Sequence, residues 1–233
     1  MKHKNLKIML SIAGSDNSGG AGIQCDIKTC GLHNIYCLTC LTAVTSQNSK
    51  KIKKIFEVPK ELIESQISSL IDEYKIDCIK IGLIASIEQS RSILKFLNKF
   101  EKNLPIVVDP IYKSTTNKIF NSEKDYRIIY DLISKIKPTF TPNLNEAKIL
   151  LKINNDCKIS TLDIIEQFYE KFKCPVVITD SGSNEKFCED FYLDKDKVIK
   201  KLVSKKIPSR NTHGTGCAFS SSLVINMSRG MTF

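Results

Sequence analysis

Short apolar runs alternate with stretches of helical periodicity along almost the whole chain, and this alternation restricts the fold more than any other feature. Residues 6–13, 36–44, 52–58, 78–81, 105–108, 138–140 and 176–179 read as strands, and 187–193 with 198–201 as a late hairpin. Helices are expected over 23–32, 87–100, 126–136, 143–151 and 162–172, and from about Gly214 onward. Another starts at Pro59, with Leu62, Ile63, Ile67, Leu70 and Ile71 as its apolar stripe. Strands that alternate with helices predict an α/β fold, with a mostly parallel central sheet covered by helices on both faces. In such sheets ligands bind beyond the carboxyl ends of the strands. Polar or glycine residues recur there: Gly14-Ser15-Asp16, Gln47, Gly82, Asp109 and Asp180. No repeat or linker divides residues 1–233, so one domain is expected.

Two glycine-rich segments carry the chemistry. The first, Gly14-Ser15-Asp16-Asn17-Ser18-Gly19-Gly20-Ala21-Gly22, joins a strand to a helix. It lacks the GK[ST] of a P-loop and does not match GxGxxG. The second is Asn211-Thr212-His213-Gly214-Thr215-Gly216-Cys217, followed by an apolar run suited to a helix. A glycine-rich turn that opens a helix aims several N–H groups at one spot made positive by the helix dipole. The same field is expected to lower the pKa of the Cys217 thiol. A developing anion and a proton acceptor then sit side by side, as phosphoryl transfer requires. The alternative for each segment is an ordinary tight turn and helix cap.

The net charge of +10 is carried almost wholly by scattered lysines, with only Arg91, Arg127, Arg210 and Arg229 as arginines. Nucleic-acid readers cluster arginine with aromatics, so no nucleic-acid partner is expected. No apolar run approaches the ~20 residues of a membrane helix, and residues 8–13 are too short for a signal sequence. Nine cysteines without a secreted spacing point to free thiols in a reducing cytoplasm. Cys37 and Cys40 lie in a strand-like run and face opposite sides, which argues against a redox or zinc pair.

The segment from Ala13 to Thr29 resembles the N-terminal signature of the hydroxymethylpyrimidine/phosphomethylpyrimidine kinases of thiamine biosynthesis. Further matches follow in the same order: Thr42 to Asn48, Lys80-Ile81-Gly82-Leu83, Val108-Asp109-Pro110, Thr141 to Ala147, and Asn211 to Cys217. The resemblance implies a ribokinase-like three-layer sandwich. It also implies an enzyme that uses ATP and Mg2+ to phosphorylate 4-amino-5-hydroxymethyl-2-methylpyrimidine and then its monophosphate, and a homodimer by analogy with relatives. Its site residues carry over one by one. Cys217 becomes the base, with Gly214, Thr215 and Gly216 holding phosphate. Gln47, Asp26, Gly14 and Gly82 fall on the pyrimidine side. Asn143, Glu146, Asp109, Thr179 and Gly182 fall on the nucleotide side, with Glu146 placing the metal. Asp26 is equally readable as a solvated helix carboxylate, and Asp109 as metal-assisting or structural. His213 either positions phosphate or shapes the backbone. Asn143 with Glu146 also fits a helix-capping box.

The chain departs from that pattern in places. Asp180-Ser181-Gly182-Ser183 stands where the family has Lys-Gly-Gly-His, so weaker ATP binding is expected. Pro110-Ile111-Tyr112 replaces Pro-Val-Met, and Leu83 replaces a methionine. The family's C-terminal helices are expected to be missing after Phe233. Two other readings follow: a pyridoxal-type kinase on the same fold, or a catalytically weakened pyrimidine-binding remnant.

Overall fold

In the central strands every position is apolar or satisfied, as a parallel sheet buried on both faces demands. The computed structural model describes residues 6–48, 50–100, 103–154, 156–183, 186–209 and 211–231, with backbone alone for 180–183. Its strands are β1 (Ile8–Asp16), β2 (Tyr36–Gln47), β3 (Ile52–Glu57), β4 (Cys78–Ile81), β5 (Ile106–Val108), β6 (Thr139–Phe140), β7 (Val176–Ser183), β8 (Phe187–Leu193) and β9 (Lys200–Lys205). They form one sheet in the order β3-β2-β1-β4-β5-β6-β7-β8-β9. The strands from β2 through β1, β4, β5 and β6 to β7 run parallel. Antiparallel partners close both edges, β3 on one side and β8 with β9 on the other.

The helices are α1 (Gly22–Leu32), α2 (Lys60–Ile71), α3 (Ile87–Leu97), α4 (Glu123–Ile133), α5 (Leu144–Leu151), α6 (Thr161–Phe172) and α7 (Thr215–Ser228). Helices α2 to α6 bury one sheet face through side chains such as Ile63, Ile93, Tyr130, Leu150 and Phe168. Helices α1 and α7 cover the other, where Cys30, Val224 and Ile225 pack on Met9, Cys78 and Val107. Three layers result. Cys40 belongs to the first face and Cys37 packs on the second, as their spacing predicts. All nine cysteines are free. No described helix is long and apolar enough to cross a membrane.

Several boundaries differ from expectation. β1 continues to Asp16 because Ser15 and Asp16 pair with Val44 and Thr45 past an irregularity in the register. β7 continues to Ser183 because Gly182 and Ser183 pair with Glu189 and Cys188. β9 begins at Lys200, two residues later than the pattern indicates. Leu62 is 53% exposed, since the buried stripe of α2 runs through Ile63 and Ile67.

Strand order reverses at β1, which connects to β2 on one side and has β4 on the other. The crevice beyond the carboxyl ends of β1 and β4 is the switch point where such sheets take ligands.

Candidate active site

Asp16 brings a carboxylate, 2% exposed, to the end of β1 at that crevice. It shapes the glycine loop around itself. Oδ1 accepts from the Ser18 N–H (2.8 Å) and hydroxyl (2.7 Å), and Oδ2 from the N–H groups of Gly20 (3.1 Å) and Ala21 (2.9 Å). From α1, the Gln24 carboxamide accepts the Asp16 N–H at 2.8 Å and donates to the Ser15 hydroxyl at 2.8 Å. Burial pushes the Asp16 carboxyl upward, but hydrogen bonds from Ser18, His213 and Ala21 outweigh it and hold the group at about 2.

The second glycine motif packs directly on the first. His213 Nε2 lies 2.7 Å from Asp16 Oδ2, and its Nδ1 lies 2.8 Å from the Thr115 hydroxyl. His213 thus shapes the backbone, tying three loops together. Gly214 has φ +83°, and a Cβ there would fall 1.8 Å from the Gly20 carbonyl oxygen. Only glycine fits such an approach. The contact sets α1 and α7 side by side with both N-termini facing one spot.

Neither helix has a side-chain cap, whereas Ser86, Ser122, Asn143 and Ser160 cap α3, α4, α5 and α6. The Gly22 N–H favours a thiolate at Cys217. The N–H groups of Gly216 and Cys217 have no protein acceptor among the described residues. That of Thr215 reaches the Thr212 carbonyl at 3.3 Å, and the exposed Thr215 hydroxyl takes the same oxygen at 3.0 Å. Two helix starts without side-chain caps thus lie together, with the N–H groups of Gly216 and Cys217 open on α7.

Beneath this spot lies a buried charge cluster. Asp26 on α1 is fully buried and forms an ion pair with Lys80 on β4, whose Nζ is 3.0 Å from each carboxylate oxygen. Ser11 (2.6 Å) and Ser221 (2.9 Å) donate to the same carboxylate. This corrects the expectation that Asp26 meets a substrate, because its oxygens are taken inside the protein. At Gly82 a Cβ would meet Lys80 Nζ at 3.0 Å and Ala13 Cβ at 3.1 Å, so the missing side chain leaves room for the protein's own atoms. At Gly14 the nearest atoms are Leu83 Cδ2 at 3.1 Å and the Ala43 carbonyl oxygen at 3.7 Å.

Cys217 is 6% exposed. Burial pushes its thiol up to about 12, against the pull of Lys80 and the Gly22 N–H. The expected lowering by the helix field is therefore overturned, because desolvation of a thiolate exceeds it. Asp109, 6% exposed, is raised by burial to about 6, and the Ser220 hydroxyl lies 3.4 Å from its Oδ2. A Cβ on Gly216 would lie 3.6 Å from that oxygen, which places Asp109 beside the start of α7.

Along the carboxyl edge the remaining residues follow in sheet order. Gln47 is half-buried at the end of β2, with its N–H donated to the Asn17 carboxamide at 2.7 Å. Asn143 and Glu146 form the capping box of α5: the Asn143 oxygen accepts the Glu146 N–H at 2.9 Å, and Glu146 Oε2 accepts the Asn143 N–H at 3.0 Å. Glu146 Oε1 also accepts the Tyr112 N–H at 3.2 Å, which joins α5 to the segment after Asp109. Burial, with Asp109 nearby, raises Glu146 to about 8. Thr179 bridges to Asn143, and its N–H donates to the Pro142 carbonyl at 3.0 Å. Gly182 lies within β7 instead of in a turn after it. The side chain of Asp180 lies outside the described ones.

Lys80 went unread as a site residue, although a lysine inside the four-residue strand Cys78–Ile81 is itself a signal. Ser220, Ser221 and Thr115 gave no sequence signal, since hydroxyls at those positions suit a helix or a loop equally.

Among solved structures, a Bacillus subtilis pyridoxal kinase determined as an ADP complex matches with TM-score 0.82 at 25% identity, covering 97% of this chain and 86% of that one. The fold is that of the ribokinase-like kinases. The phosphomethylpyrimidine kinase family model matches residues 16–233, and the chain belongs to that family. A hydroxymethylpyrimidine/phosphomethylpyrimidine kinase of Aquifex aeolicus is 30% identical over 95% of this chain and 86% of its own length. The chloroplastic thiamine biosynthetic bifunctional enzyme of Arabidopsis thaliana is also 30% identical, over 95% of this chain. The chain spans only 42% of that plant relative.

Proposed function

We propose that this chain transfers the γ-phosphoryl group of ATP to the hydroxymethyl oxygen of 4-amino-5-hydroxymethyl-2-methylpyrimidine and then to the resulting monophosphate. The observation that carries the reading is the convergence of two uncapped helix starts at the β1–β4 switch point, with Cys217 between them. Gln47 stands on one side of that point along the sheet edge. Its carboxamide can donate to a ring nitrogen and accept from an exocyclic amine together. Asp109, Asn143, Glu146 and Thr179 stand on the other side, where the nucleotide belongs.

The N–H groups of Gly216 and Cys217 receive the charge that develops on the transferring phosphoryl group. The Cys217 sulfur, as thiolate, takes the hydroxymethyl proton. The freed oxygen bonds to phosphorus as the bond to the β-phosphate oxygen breaks, and that electron pair leaves with ADP. Asp109 and Glu146 are buried carboxylates raised by burial to about 6 and about 8, with Asp109 disfavouring charge on Glu146 and Asp26 disfavouring it on Asp109. The buried Tyr130 hydroxyl feels both carboxylates. An oxygen-only set with too few ligands to enclose an ion fits Mg2+ held largely through its own water. Bound there, Mg2+ would offset the charge of the ATP phosphates.

The likeness to a pyridoxal kinase supports a second substrate class on the same frame. A coupled ATP-consumption assay with the hydroxymethylpyrimidine, its phosphate and pyridoxal decides between them. Turnover of both pyrimidines is expected. Preference for pyridoxal, or pyrimidine binding in calorimetry without turnover, would overturn the reading. Nine free thiols support a reducing, cytoplasmic setting. Size-exclusion chromatography with light scattering tests the homodimer.

A further inference from the structure

Three consecutive hydroxyls, Ser114, Thr115 and Thr116, lie in a small hairpin closed by the Lys113–Ile119 bridge. Ser114 Oγ and Thr116 Oγ1 are 2.9 Å apart, and Ser114 Oγ accepts the N–H groups of Thr116 (3.2 Å) and Lys118 (3.1 Å). Those two side chains hold the turn. The hydroxyl of Thr115 goes elsewhere. It is exposed and lies 2.8 Å from His213 Nδ1, 98 residues away in the chain. On the far side of the ring, Nε2 lies 2.7 Å from Asp16 Oδ2. Asp16 is buried, and its carboxyl, held at about 2, is an acceptor at neutral pH. The neutral imidazole therefore carries its proton on Nε2 and turns the Nδ1 lone pair to the threonine hydroxyl. A hydroxyl, a base within hydrogen-bond reach and a third group that orients the base make an activated nucleophile.

The place of the base ties this hydroxyl to phosphoryl chemistry. His213 directly precedes Gly214, the N-cap of α7, where the N–H groups of Gly216 and Cys217 have no protein acceptor among the described residues. Resting on the reading of this chain as an ATP-dependent kinase, we propose that Thr115 is a second phosphoryl acceptor, with His213 as its base. When no alcohol substrate is bound, the γ-phosphoryl group of ATP passes to the chain's own Thr115. The hydroxyl proton moves from Oγ1 to His213 Nδ1. The bond from Oγ1 to phosphorus forms as the bond to the β-phosphate oxygen breaks, and that electron pair leaves with ADP. His213 then gives the proton to water. The product, a phosphothreonine, places a charge of about −1.5 to −2 on the hairpin joined to His213.

The test incubates the full chain with Mg2+ and ATP, without pyrimidine, and locates phosphate by peptide mass mapping. The same preparation is assayed for turnover of the hydroxymethylpyrimidine. Wild type should gain a phosphoryl group on Thr115. Thr115→Val should lose it, and Thr115→Ser should regain it. His213→Gln can keep both hydrogen bonds but supplies no base, so labelling should fall at least about tenfold. A His213 that only ties loops together would leave labelling unchanged in that variant, and this result overturns the proposal. Phosphate found only on other residues overturns it as well. If His213→Gln gives no cooperative melt, the Thr115→Val and Thr115→Ser pair decides by the site of labelling. Pyrimidine turnover with unmodified Thr115 overturns this proposal and leaves the kinase reading standing. Phosphate on Thr115 without pyrimidine turnover supports it and overturns the pyrimidine reading. Absence of both overturns both.

Discussion

His213 Nε2 and Asp16 Oδ2 lie 2.7 Å apart although 197 residues separate them in the chain. This contact closes the glycine loop after β1 onto the turn before α7, and the Thr115 hydroxyl at the other ring nitrogen brings in a third loop. Neither helix start would be aimed without it. His213→Ala should destabilise the protein by about 1–2 kcal/mol near pH 6, since it strips a charged-group hydrogen bond from a buried carboxylate. The pH dependence has a definite sign. An unfolded aspartate titrates near 3.9, whereas folded Asp16 sits at about 2. Its depressed pKa contributes stability above pH ~4 that disappears as pH falls toward 2. The penalty of His213→Ala, measured by urea unfolding, should therefore shrink from pH 5 to pH 2. A constant penalty across that range would contradict the coupling.

Backbone proximity makes a second, sharper prediction. A Cβ on Gly214 would meet the Gly20 oxygen at 1.8 Å with φ at +83°, so Gly214→Ala has to push the two motifs apart. Strain and displacement together should cost more than about 2 kcal/mol and abolish turnover. Gly31 in α1 is the contrasting case. Nothing lies within 4 Å of its missing Cβ, and its φ is not positive. Gly31→Ala should stabilise by about 0.5–1 kcal/mol through helix propensity, with turnover unchanged. Thermal melts of the two variants should move in opposite directions.

Buried thiols set an alkaline limit. Burial raises Cys40 and Cys78 to about 12, and Cys174 to about 11. An unfolded cysteine titrates near 8.5. Folded pKa values above that contribute stability that is complete below pH ~8.5 and is lost as pH climbs toward 12. Stability in urea should fall steadily from pH 9 to pH 11. Cys40→Ala should flatten that slope while costing about 1 kcal/mol at pH 7 for the lost sulfur. A slope unchanged by the substitution would assign the alkaline loss to other groups.

How much of this was legible in the chain depends on the kind of signal. The strand–helix alternation and the two glycine motifs were readable because their physics is local: period, turn chemistry and helix starts. The placement of Cys40 and Cys37 on opposite sheet faces followed from strand geometry alone. What was not legible arises from burial and from long-range partners. The helix start at Cys217 argues for a more acidic thiol, yet desolvation by surrounding elements reverses the sign. Asp26 looks like a polar helix residue until β1, β4 and α7 arrive with Ser11, Lys80 and Ser221. Gly82 looks like room for a ligand, but the ammonium two residues earlier turns back into that room. β7 runs beyond Thr179 because β8 pairs with it, a fact that no local pattern in 176–179 holds.

Cys217 carries the last prediction. The open donors at the start of α7 are the backbone N–H groups of Gly216 and Cys217, so removing the sulfur leaves them standing and deletes only the proton acceptor. Cys217→Ala should lower kcat at least about a hundredfold, within the range general-base removal usually costs. Pyrimidine affinity, which is assigned to the Gln47 side of the crevice, should stay within a few-fold in calorimetry. Because the thiol sits at about 12, the wild-type rate should rise with pH from 7 to 9 as the thiolate fraction grows. Cys217→Ala should lose that rise. Turnover within a few-fold of wild type, with the same pH profile, would remove sulfur from the reaction and leave catalysis to the helix starts alone.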